Sequence, residues 1–311
     1  MPHIRFLLKK PVVSLMQWAA VSALVSAVLA APAAAQQLTG TLKKIKDSGT
    51  ITLGHRESSI PFSYYDQNQK VVGYSHEFAL KVVDALKRDL KLPNLQVRLI
   101  PVTPENRISL MQNGTIDLEC GSTTHNTTRD KQVAFSNTIF VIGTRLLTRK
   151  DFGIKDFPDL AGKNVVTTAG TTSEPILRRM NQEKNMGMNI IAAKDHGEAF
   201  LILQSGRAVA FMMDDVLLYG ERTKARRPDD WIVTGTPQSH EAYGCMLRKD
   251  DPEFKKFVDT TLAKVMTSGE AEKIYKKWFQ NPVPPKGLNL NLPLSPELAE
   301  DFKHPNDKPY Q

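Results

Sequence analysis

Two successive rounds of strand–helix alternation constrain this chain more than any other feature. Runs rich in β-branched and apolar residues over 50–54, 95–102, 116–120, 139–148, 164–168, 189–193, 208–213 and 242–247 read as strands. Between them, apolar residues at helical spacing predict helices over 75–90, 106–112, 172–182, 198–204, 216–223, 253–267 and 271–279. In the segment 75–90, Phe78, Val82, Val83, Leu86 and Leu90 share one face, and Ser75 is placed to cap it. Such alternation points to an α/β class with mostly parallel sheets. The first round spans about 37–140 and the second about 147–240. One strand and two helices remain, too few for a third domain. The simplest arrangement has the chain leave a first lobe near 142–145, build a second, and return near 241–244. Two crossings make a hinge, and ligands favour the cleft between such lobes. Beyond Phe279 the proline-rich stretch N-P-V-P-P-K-G reads as the start of a surface tail.

The first 35 residues have another purpose. Arg5, Lys9 and Lys10 precede a largely apolar run that ends in Ala33-Ala34-Ala35, the form of a secretory signal cleaved near Ala35. No cysteine at that point suggests a lipid anchor. The 41 basic residues less those three leave 38 against 33 acidic ones, a net charge of +5 for the exported chain. No basic run interleaved with aromatics stands out, which argues against nucleic acid. A mild positive field would gather an acidic small molecule. The two cysteines, Cys120 and Cys245, form either one disulfide, as an oxidising compartment favours, or two buried thiols. No C-x-x-C, nucleophile elbow or metal-spaced His/Asp cluster appears, so no metal, cofactor or hydrolase chemistry is expected.

The binding candidates sit at the ends of the predicted strands. Arg56 follows the first strand, with Phe62, Tyr64 and Tyr65 beyond it. A guanidinium offers a rigid fork to a carboxylate, and the aromatics could wall a ligand. Arg107 opens a short helix. Near it Cys120-Gly121-Ser122-Thr123-Thr124 leaves a strand, as hydroxyl-rich anion nests do. The turn Gly170-Thr171-Thr172-Ser173 precedes a helix; it either binds an anion or merely caps. His196 starts another helix, where a cap or surface role is the plainer alternative. Asp214 and Asp215 end a strand and can divide ammonium binding and helix capping between them.

The stretches G-H-R-E-S-S-I-P-F-S-Y-Y-D, N-G-T-I-D-L-E-C-G-S-T-T, S-G-R-A-V-A-F-M-M-D-D and E-A-Y-G-C-M-L-R-K-D-D-P together resemble the glutamate/aspartate-specific branch of the amino-acid-binding proteins that serve bacterial ABC importers, solute-binding protein family 3. The resemblance covers nearly all of 40–310. It implies a type II periplasmic binding protein fold with two lobes: a signal over 1–35, one lobe over 36–142 plus 243–311, the other over 143–242. It implies that Arg107 and Ser122, helped by Thr124 and Thr172, hold the α-carboxylate of L-glutamate or L-aspartate. Asp214 takes the ammonium, and Arg56 with His196 takes the side-chain carboxylate. It implies a monomer in the periplasm that hands its ligand to an ABC permease in the inner membrane. One departure is Pro104, where the family pattern carries a serine ligand. The alternatives are an exported enzyme on the same fold, such as a cyclohexadienyl dehydratase using His196 and Glu174, and a receptor-type role in which the closed form signals.

Overall fold

The computed structural model describes residues 2, 3 and 38–309. The expected signal segment lies almost wholly outside them. Among the described residues no helix is long and apolar enough to cross a membrane.

One ten-stranded sheet runs through the molecule, its strands in the order Asn189–Ala193, Asn164–Thr168, Ala210–Asp214, Ala134–Arg149, His240–Leu247, Leu118–Glu119, Thr50–His55 and Gln96–Pro101, with two short strands added at the side. The flanks are parallel, as the alternation predicts. The centre is antiparallel, which the expectation of mostly parallel sheets did not include. The cause is the 16-residue strand Ala134–Arg149. It pairs antiparallel with His240–Leu247 up to Gly143, which faces His240, then with Ala210–Asp214 from Thr144, which faces Asp214. A chain that leaves one lobe and returns beside its own outward path must run antiparallel there.

Separate apolar clusters sit on either side of this switch. Leu146, Leu177, Met180 and Met212 pack with Phe157 beyond it, and Val102, Met111, Ile116, Phe135 and Met246 before it. A third concentration is aromatic: Phe62 lies 4.9 Å from Phe140, 5.2 Å from Tyr243 and 5.8 Å from Phe279, ring centre to ring centre. This corrects the expectation that Phe62 and Tyr64 wall a ligand. Both are buried in packing, Tyr64 against Trp278, with its hydroxyl donating to the Pro284 carbonyl at 2.9 Å. An aromatic cluster beside a strand end is satisfied by the hydrophobic effect before any ligand is needed.

Two further expectations change. The helix predicted at 75–90 is Tyr74–Asp89, and Gly73, not Ser75, precedes it; Ser75 is buried inside its first turn. The segment after Phe279 is not a plain tail. Pro282–Val283 pairs with Leu288–Asn289, and a helix, Pro296–Lys303, is capped by Ser295 and buries Leu298 and Phe302. Its eight residues are too few to announce a period against the prolines around them.

Cys120 and Cys245 are bonded, S–S 2.09 Å, so the disulfide alternative holds. The bridge ties the loop that begins at Gly121 to the returning strand.

Candidate functional site

Strand ends from both lobes converge where the long strand changes partners. Arg56 leaves Thr50–His55 and is 1 % exposed. Its Nη1 donates to Ser122 Oγ at 3.2 Å and its Nη2 to His196 Nε2 at 3.4 Å, on the far lobe. Since arginine only donates, Nε2 accepts, and the imidazole proton sits on Nδ1, which donates to Thr168 Oγ1 at 2.9 Å. Burial lowers the His196 pKa well below its usual value, with Arg56 adding to it, so the ring is neutral.

Arg107, the first residue of the helix Arg107–Gln112, is equally buried. Its Nη1 donates to the Ser122 carbonyl at 3.1 Å and to Thr123 Oγ1 at 2.6 Å, while its Nε has no hydrogen-bond partner among the described residues. The Thr123 hydroxyl in turn donates to Glu119 Oε2 at 2.7 Å. Arginine side chains thus already engage the hydroxyl-rich loop after Leu118–Glu119, through the Ser122 carbonyl and the Ser122 and Thr123 hydroxyls.

Asp214 and Asp215 take different partners. The Asp214 carboxylate accepts from the Tyr243 hydroxyl, and Asp215 accepts from the Val216 amide at 2.7 Å. Burial raises the Asp214 pKa well above the carboxylate range, and the charge of Glu241 adds to it. The turn at Gly170 is not a plain cap either. Thr172 Oγ1 donates to Glu241 Oε2 at 2.8 Å, and from the other lobe Thr124 Oγ1 donates to the same oxygen at 2.6 Å. His196 is not the cap of its helix: Asp195 accepts from the Glu198 amide at 2.9 Å, which frees the histidine to face inward.

All seven residues singled out in the sequence are thus buried or half-buried in one interlobe region. Two central ones were missed. Arg129 donates to the Thr124 carbonyl at 2.8 Å and across the cleft to the Gly170 carbonyl at 3.3 Å. Glu241 collects hydroxyls from both lobes. In the sequence Arg129 stands among ordinary polar residues and Glu241 precedes an apolar strand, so neither carries a local signal. Only a charge beside an apolar run at a predicted hinge crossing hinted at Glu241. Arg56, Arg107 and Arg129 place three cations in a space shared with the carboxylates of Glu119, Asp214 and Glu241. Burial is the first cause that lowers each arginine; Arg56 falls to about 10 and Arg129 to about 9, both pushed further by Arg107. Cations held against their own desolvation in a cleft make a strong anion trap.

The lobes touch closely. Gly170 sits at φ 72°, and a β-carbon there would lie 2.6 Å from Glu105 Cα on the opposite lobe. Gly197 donates to Ser58 Oγ at 3.2 Å across the same gap. A cavity of about 610 Å³ opens beside the hinge, its lining including Thr124, Thr172, Ser239 and Glu241 but none of the three arginines.

Residues 51–281 match the bacterial extracellular solute-binding proteins, family 3. The chain belongs to that family. This family-3 protein has the two-lobed type II α/β fold. It is 63 % identical over 288 residues to an L-glutamate/L-aspartate-binding protein of Pseudomonas aeruginosa, covering 92 % of this chain and 95 % of the other. It is 60 % identical over 301 residues to a glutamate/aspartate import solute-binding protein of Escherichia coli, covering 97 % and 98 %. Among solved structures, a mutant of ArgBP from T. maritima superposes with a TM-score of 0.69 at 26 % identity, over 78 % of this chain and all of the other.

Proposed function

We propose that this protein is the solute-binding component of an ABC importer for acidic amino acids, L-glutamate and L-aspartate, captured in the interlobe cleft of the exported chain and delivered to an inner-membrane permease. The observation that carries the reading is the pairing of two wholly buried arginines, Arg56 and Arg107, on either side of Ser122. One guanidinium serves the α-carboxylate common to all amino acids; a second serves a second carboxylate. Arg107 and Ser122 take the first role, Arg56 with His196 the second, and Asp214 the ammonium. His196 serves this role by changing tautomer: with a ligand carboxylate at Nε2 the proton moves there and Thr168 donates to Nδ1. The lobes are assigned to 36–142 plus 243–311 and to 143–242, hinged where Ala134–Arg149 changes partners. The protein acts as a monomer in the periplasm after cleavage near Ala35. Its relatives at 60 % and 63 % identity are binding proteins by name, which favours this reading over the dehydratase alternative.

Calorimetric titration of unfolded, refolded and ligand-free protein tests this. L-Glutamate and L-aspartate should bind at micromolar Kd or tighter, about −8 kcal/mol or better. L-Glutamine should bind far more weakly, because its amide leaves the buried Arg56 charge unpaired. Equal affinity for glutamate and glutamine would overturn the assignment of Arg56, and silence toward all three would overturn the function.

A further inference from the structure

Glu241 is an acidic side chain that gathers hydroxyls from both lobes. It is 5 % exposed at the start of the returning strand His240–Leu247. One carboxylate oxygen accepts from Thr124 and Thr172, the other from Ser239 at 2.7 Å. It also stands close to Asp214: the Thr144 hydroxyl lies 3.4 Å from an oxygen of each carboxylate. Two buried carboxylates that share one hydroxyl repel each other, and Asp214 is held toward its protonated form partly for that reason. A cation placed between them would relieve the repulsion. The polarity of the hydroxyls agrees. Thr124 and Thr172 spend their hydrogens on Glu241, so what they can offer a third group is lone pairs, which suit a donor such as an ammonium. A glutamine there would keep one acceptor oxygen for Thr124 and Thr172 and put an amide donor where Ser239 now donates.

We propose that Glu241 is a second ammonium-recognising residue of the cleft, acting with Asp214, and that it sets the preference for α-amino dicarboxylic acids over plain dicarboxylic acids. The inference rests on the proposed function and adds to it a residue and a specificity. The competing role for Glu241 is that of counter-ion to Arg129, whose lowered pKa it opposes. A counter-ion would support the fold and every anionic ligand alike. An ammonium ligand would support only the amino acid.

The test compares L-glutamate with glutarate, the same diacid without its amino group, on the unmodified protein and on Glu241→Gln. The unmodified protein should prefer glutamate. The variant should narrow the glutamate-to-glutarate ratio by about tenfold or more, the change carried by one hydrogen bond to a charged group, through loss of glutamate affinity with glutarate unchanged or tighter. An unchanged ratio would overturn the inference, and so would a proportionate loss of both ligands, which is the signature of the counter-ion. Should Glu241→Gln not fold, Glu241→Asp keeps the charge but withdraws the carboxylate by one methylene. A ratio narrowed by twofold or more then supports the inference and an unchanged one overturns it. Failure of the unmodified protein to bind glutamate at all would instead bring down the proposed function, and this inference with it.

Discussion

Replacing Arg56 with methionine should separate stability from affinity. The guanidinium is wholly buried, and its pKa is lowered from 12.5 to about 10, by desolvation first and by Arg107 second. A lowered pKa in a base means that the folded state disfavours the charge. The penalty is therefore fully present at neutral pH and is relieved only as pH rises past about 10. At 1.36 kcal/mol per unit it amounts to about 3 kcal/mol. Against it stand the bonds to Ser122 and His196, both neutral partners, together worth about 2 kcal/mol. Methionine fills a similar length without charge. Unliganded Arg56→Met should thus be as stable as the unmodified protein or about 1 kcal/mol more stable, read by urea unfolding. Its glutamate affinity should fall by about 3–5 kcal/mol, the usual loss when one partner of a buried ion pair is removed. The fall in glutamine affinity should be much smaller, so the discrimination collapses. A variant that loses more than about 1 kcal/mol of unliganded stability, or binds glutamate with unchanged affinity in calorimetry, would refute the reasoning.

Three other outcomes follow from the same geometry. Cys120→Ser with Cys245→Ser opens a loop of 125 residues and should lower the unfolding free energy by about 5 kcal/mol on the chain-entropy account; a loss under about 1 kcal/mol in urea would contradict it. Gly220→Ala, inside the helix Asp215–Arg222, should favour that helix by about 1 kcal/mol and yet weaken glutamate binding, because its methyl would lie 2.1 Å from the Ile60 carbonyl of the opposite lobe; full affinity by calorimetry would show that the lobes do not need that contact. The pKa values of His196 and His76 are lowered, His76 to about 4, each by burial. Both rings resist protons that the unfolded chain accepts, so unfolding free energy should fall as pH drops from about 6.5 toward 4. Urea titrations at pH 7.5 and 5 read this directly, and a rise in stability on acidification would reverse the sign.

The amino-acid sequence by itself determined the local matters. Periods of two and of 3.6 residues placed most strands and helices, because side-chain direction is a property of the backbone conformation alone. The order of those elements fixed the α/β class and two crossings, and the chemistry of Arg56, Arg107 and Asp214 at strand ends named an anion-and-ammonium site. Tertiary structure decided what depends on distant partners. It bonded Cys120 to Cys245, drew Phe62 and Tyr64 into the core, and folded the segment after Phe279 into a helix held by Leu298 and Phe302. It also brought Arg129 and Glu241 into the cleft, where the hydroxyl partners of Glu241 come from positions 124, 172 and 239. No local pattern encodes such a meeting, because the charge of a side chain is written in the sequence and its neighbours are not.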